Sequence, residues 1–97
     1  MVKIGDPMLR KLATKRPVPV YPAAALEQKV EGVVVVSIVA GTNGQIEELE
    51  MLQAPDEQIS KAVRDAVSQW QFEPVQVRGS TEKWRIRGTL TFYFVLR

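Results

Sequence analysis

The chain has 97 residues, 45% of them apolar and 25% charged, which is material for one hydrophobic core and too little for two. It contains no cysteine and no histidine, so disulfides, thiol nucleophiles, thiolate metal sites and the commonest general base are excluded. Composition therefore favours a binding module over an enzyme, and no cofactor or metal is expected.

The net charge of +2 conceals a segregation, with +4 on residues 1–20, −6 on residues 21–75 and +4 on residues 76–97. Basic ends can draw in nucleic acid or an acidic surface. No recognition-helix pattern or aromatic RNA-binding signature accompanies them, so their expected roles are solvation and edge protection, and nucleic acid is not an expected partner. The longest apolar run, Val33 to Ala40 broken only by Ser37, falls far short of the roughly 20 residues of a membrane-crossing helix. No apolar leader follows Met1, and the chain is expected to be a fragment of a longer protein.

In chain order, Asp6-Pro7 before Met8, Leu9 and Leu12 reads as an N-cap and first-turn proline opening a short amphipathic helix. Pro17, Pro19 and Pro22 then forbid a helix and favour an extended arm; residues 1–20 read as a basic, proline-rich arm and 21–97 as the domain. Residues 23–30 are mostly good helix formers, with Pro22 suited to the first helical position and Gly32 to the stop. Residues 33–40 are β-branched almost throughout and apolar on both parities, which predicts a central strand covered on both faces. Asn43-Gly44 is a strong hairpin signal, so residues 45–53 are expected to return antiparallel as a more exposed strand.

From Asp56 to about Gln71, Ile59, Ala62, Val63, Ala66, Val67 and Trp70 recur at spacings of three and four, which predicts a long helix with one apolar stripe. Beyond a turn at Arg78-Gly79-Ser80-Thr81, Trp84, Ile86, Gly88, Leu90, Phe92, Phe94 and Leu96 share one parity, which predicts a strand from Lys83 to Arg97. So long a strand must overhang its neighbour, and Arg85, Arg87 and Gly88 read as protections for an exposed edge. The expected fold is α+β, a three-stranded antiparallel sheet with the first hairpin strand in the middle and two helices packed on one face.

Catalytic readings fail on geometry. Glu47 and Glu48 lie next to each other on a strand and point to opposite faces, and Gly41-Thr42-Asn43-Gly44 is a turn without the lysine of a phosphate-binding loop. Trp70 and Trp84 lie on the apolar parity of their elements, so packing is expected of both. Tyr21 has no periodic reason for burial and is a candidate anchor or partner contact.

The order Tyr21-Pro22, Gly32 before an all-valine strand, Asn43-Gly44, then Ala66-Val67-Ser68-Gln69-Trp70-Gln71-Phe72-Glu73-Pro74 and a phenylalanine-rich last strand resembles the C-terminal domain of TonB energy transducers. The resemblance implies a periplasmic domain tethered to the inner membrane and driven by ExbB and ExbD through a membrane anchor. It further implies capture of the TonB box of TonB-dependent outer-membrane receptors as a strand added to the sheet edge. Carried onto this chain, the partner-binding residues are Gly88, Thr89, Leu90, Thr91, Phe92, Tyr93, Phe94 and Val95, on an edge expected to be vacant. Val18, Tyr21 and Pro22 extend the set into the arm, although Val18 stands where well-known members carry a glutamine and has no polar group to offer. Gln53-Ala54-Pro55-Asp56 departs from the loop common in the family. The competing expectation is a TonB-like envelope domain that docks partners or forms a homodimer through its long terminal edge.

Overall fold

The computed structural model describes residues 1–76 and 78–96. Its elements run β1 (Val2–Lys3), α1 (Asp6–Leu12), β2 (Ala13–Lys15), α2 (Ala23–Glu27), β3 (Gly32–Ala40), β4 (Ile46–Gln53), α3 (Glu57–Val67), β5 (Gln71–Phe72), β6 (Val75–Gln76), β7 (Lys83–Trp84) and β8 (Ile86–Phe94). The main sheet has the order β1-β8-β3-β4. Central β3 is antiparallel to both β4 and β8, as the hairpin signal and the valine run require. The α+β class holds, with a short fourth strand, β1, added parallel to β8 on its outer side, and the short helix expected from Asp6-Pro7 forms as α1 and packs Leu9 into the core beside α2 and α3.

Register explains the core. Val34, Val36, Ile38 and Ala40 of β3 stand opposite Phe92, Leu90, Gly88 and Ile86 of β8, so the even-numbered residues of both strands share a face. Against that face pack Leu9 of α1, Ala25 of α2, and Ile59, Val63 and Val67 of α3. On the other parity Val33 and Val35 are only half-buried while Val39 is buried, so the strand is fully covered on one side and in part on the other.

Local chemistry sets the element ends. The Asp56 carboxylate caps α3, its Oδ1 accepting the Ile59 N–H at 2.8 Å, and the apolar stripe of the helix is buried as its spacing requires. The helix stops at Val67, short of the expected Gln71, because β5 is recruited into an antiparallel pair with β2. Phe72 N–H also donates to the Gly44 carbonyl at 2.8 Å. Gly44 has φ +83° and an added Cβ there would overlap the Phe72 carbonyl, so its glycine serves both the turn and this close approach.

The terminal strand is not continuous. Lys83 and Trp84 run past the end of β3, as an overhang must, but pair with Val75 and Gln76 in a separate two-stranded ribbon. Arg85 interrupts the strand and reaches Glu47 at 2.7 Å. Trp84 is therefore half-buried opposite Val75 rather than part of the main core, whereas Trp70 is 3% exposed and within it. β8 ends at Phe94; Arg97, the expected end, lies outside the described residues.

Candidate functional site

Along an antiparallel strand the peptide groups point alternately to the two sides. Since β3 lies on one side of β8, the other side is read from its bonds. The carbonyls of Arg85 and Arg87 accept the N–H groups of Val2 and Ile4 at 2.9 and 2.8 Å, and Thr91 N–H points the same way. The outward set is thus Arg87, Thr89, Thr91 and Tyr93, while Leu90 and Phe94 are buried, Phe92 is half-buried against the core and Gly88 is buried. Val95 and Tyr93 are exposed beyond this region.

The expected vacancy of this edge is corrected by the chain's own first residues. After β1 the backbone crosses over the sheet edge at Gly88, where an added Cβ would overlap the Ile4 carbonyl oxygen and lie 2.8 Å from Leu9 Cδ1. Gly88 is thus a notch that admits the crossing rather than an edge protection. The crossing was not legible because Val2-Lys3-Ile4 is too short to show a period.

Beyond the notch, α1 continues the edge pairing with side chains. Asp6 Oδ2 accepts the Thr91 N–H at 2.9 Å, and Arg10 Nη2 donates to the Thr91 carbonyl at 2.6 Å. The two are joined to each other, with Arg10 Nε donating to Asp6 Oδ1 at 2.7 Å. One acceptor and one donor on the same outward residue is what a neighbouring strand would supply. The guanidinium also lies 4.9 Å from the Phe92 ring centroid and 5.9 Å from that of Trp70, a cation–π arrangement. Burial pushes the Asp6 carboxyl up, but the hydrogen bonds from Arg10 and Thr91 and the Arg10 charge outweigh it and hold the group below the ordinary carboxylate range.

Sequence reading missed these two roles. Gly5, not Asp6, is the N-cap of α1, and no side chain caps that helix, which frees the Asp6 carboxylate to reach sideways. The one local signal was the four-residue spacing of Asp6 and Arg10, which favours an ion pair on a helix. Among the described residues, the outward peptide groups of Thr89 and Tyr93 have no hydrogen-bond partner.

The arm residues form a second surface. Val18 is 82% exposed, and with Pro17, Val20 and Pro22 it borders a groove against Lys61, Ala62 and Asp65 of α3 and Gln69 just beyond it. Trp70 holds the arm in place, its Nε1–H donating to the Pro17 carbonyl at 3.0 Å. Tyr21 turns inward: its hydroxyl donates to the Val30 carbonyl, and its ring stands edge-on to Phe94 with centroids 5.1 Å apart. Burial, and then the charges of Glu31 and Asp56, push that hydroxyl's pKa up, so it keeps the proton it donates.

The model of the Gram-negative bacterial TonB protein C-terminal matches residues 17–96. The chain belongs to this family. Protein TonB of Pseudomonas aeruginosa is similar, with 35% identity over 57 residues, which cover 58% of this chain and 17% of that protein. The solution NMR structure of the Pseudomonas aeruginosa TonB C-terminal domain is similar in fold, with a TM-score of 0.69 at 31% identity, covering 87% of this chain and 84% of that one. Within the TonB C-terminal match lie the proline segment from Pro17 to Pro22, the sheet strands β3, β4 and β8, and α3. The occupant of the β8 edge, β1 with α1, precedes the matched stretch.

Proposed function

We propose that this TonB C-terminal domain works as the periplasmic, noncatalytic part of an energy transducer anchored in the inner membrane and driven by ExbB and ExbD. In this reading it binds the TonB box of outer-membrane receptors as a strand added along the outer side of β8. The observation that carries the reading is that this side already takes an extended backbone in ladder pairing at Arg85 and Arg87, so its outward groups have the geometry that strand addition needs. Thr89, Thr91, Tyr93 and Val95 supply the contact groups, and Val18 and Pro22 add an apolar shoulder from the arm.

Backbone pairing suits a pulling task. A single hydrogen bond contributes only about 1 kcal/mol net, but a ladder loaded along its length shares the force among several such bonds.

The test is parity-resolved. On titration with a TonB-box peptide, the amide resonances of Thr89, Thr91 and Tyr93 should shift strongly, while those of Leu90 and Phe94, whose peptide groups face β3, should move little. Equal shifts on both parities, or shifts confined to β4, would refute strand addition at β8.

A further inference from the structure

We infer that residues 1–12 are an internal competitor for the β8 edge, which must leave Arg85 to Thr91 before a receptor strand can pair along that length. This inference rests on the strand-addition reading and names its regulation.

Three observations carry it. The segment uses the same groups that an incoming strand would use: backbone pairing at Arg85 and Arg87, and the Asp6–Arg10 pair on both outward groups of Thr91. Thr91 lies within the docking stretch, so a strand cannot pair across it while its N–H and C=O are held. The sheet is also shaped to receive the segment, because a Cβ at Gly88 would overlap the Ile4 carbonyl oxygen where the backbone crosses the edge.

The attachment is light compared with the sheet beneath it. β1 pairs through two residues, against nine for the β3–β8 ladder, and Leu9 is the one fully buried residue of α1. Val2, Ile4 and Leu12 are only partly buried against the core, and a short strand with one fully buried anchor belongs to the low-stability end of a fold and can open while the core persists. In a competition of this kind, a partner's apparent dissociation constant is its intrinsic value divided by the fraction of molecules with the edge open. The segment therefore sets the affinity of the edge without touching the partner.

The absence of cysteine from the chain makes a direct test possible. Lys3 and Arg87 are Cα partners across the parallel ladder, and adjacent strands are about 4.8 Å apart, within the reach of a disulfide. In the full chain carrying Lys3→Cys and Arg87→Cys, oxidation locks the segment down and reduction releases it. A fluorescent TonB-box peptide is expected to bind the oxidised form at least about tenfold more weakly than the reduced form. Equal affinity for the two forms overturns the inference while leaving the receptor reading intact.

A second variant works in the other direction without a crosslink. Asp6→Ala with Arg10→Ala should speed hydrogen exchange at the Thr91 amide and tighten peptide binding by a similar factor. Faster exchange with unchanged affinity also overturns the inference. Failure of the peptide to bind the oxidised, reduced and Asp6/Arg10 forms alike overturns the receptor reading, and the competition with it.

Discussion

Arg10, on the first helix, closes on the Thr91 carbonyl of the last strand at 2.6 Å across 81 positions of sequence. The same guanidinium bonds Asp6 and lies over the Phe92 ring, so one planar group serves an acid, a peptide oxygen and an aromatic face together. Its rigid fork of donors is suited to that, and the point charge of a lysine is not.

Arg10→Lys should therefore keep the positive charge but lose the Thr91 bond or the Asp6 bond, lowering stability by about 1 kcal/mol. The check is a urea titration: the midpoint should fall with an unchanged slope. A wild-type midpoint would show that charge alone accounts for the contact.

Acid should loosen the same contact. The folded Asp6 carboxyl titrates below its unfolded value because Arg10 and Thr91 N–H outweigh its burial. Its contribution is then complete above the unfolded value and is lost as pH falls through the folded one. Exchange protection of the Thr91 amide, corrected for the intrinsic rate, should hold at neutral pH and decline below about pH 4, with Asp6→Asn abolishing that dependence. The charged group facing Asp6 is Arg10. Protection that is flat down to pH 3 would contradict this account.

Gly88→Ala places a Cβ against the Ile4 carbonyl and Leu9. Overpacking of this sort costs about 1–3 kcal/mol unless something moves, and the first residues are the part able to move. The amides of Val2 and Ile4 should lose protection while that of Leu90 keeps it. Loss at all three sites would mean that the crossing cannot yield separately from the core.

Asp56→Ala removes the side-chain cap of α3 and should cost about 1 kcal/mol, readable as a lowered thermal midpoint. Since the Asp56 carboxylate bonds the Ile59 N–H of α3, and the outward groups of Thr91 are held by Asp6 and Arg10 instead, TonB-box affinity should be unchanged at temperatures where the variant is folded.

The legible parts of the fold were those whose signal is local or periodic. The valine run, Asn43-Gly44 and the stripe from Ile59 to Trp70 each specify an element by themselves, and β3, β4 and α3 appear where these signals stand. The candidate edge was legible as a strand but not in its surroundings. Its occupant is two residues of β1 and a pair of side chains on a seven-residue helix, joined to it by contacts 81 and 85 positions away in sequence. The break at Arg85 escaped for a related reason: alternation continues through it from Trp84 to Ile86, while hydrogen bonding passes to another partner, Val75.

Because β1 lies ahead of α1 and the sheet strands β3, β4 and β8, a pull on this domain from its amino side would load the two-residue ladder of β1 before the nine-residue ladder between β3 and β8. Such an arrangement is a mechanical fuse in form, two ladder pairs standing in front of nine. A domain wired in this order could report strain by baring a surface rather than by unravelling.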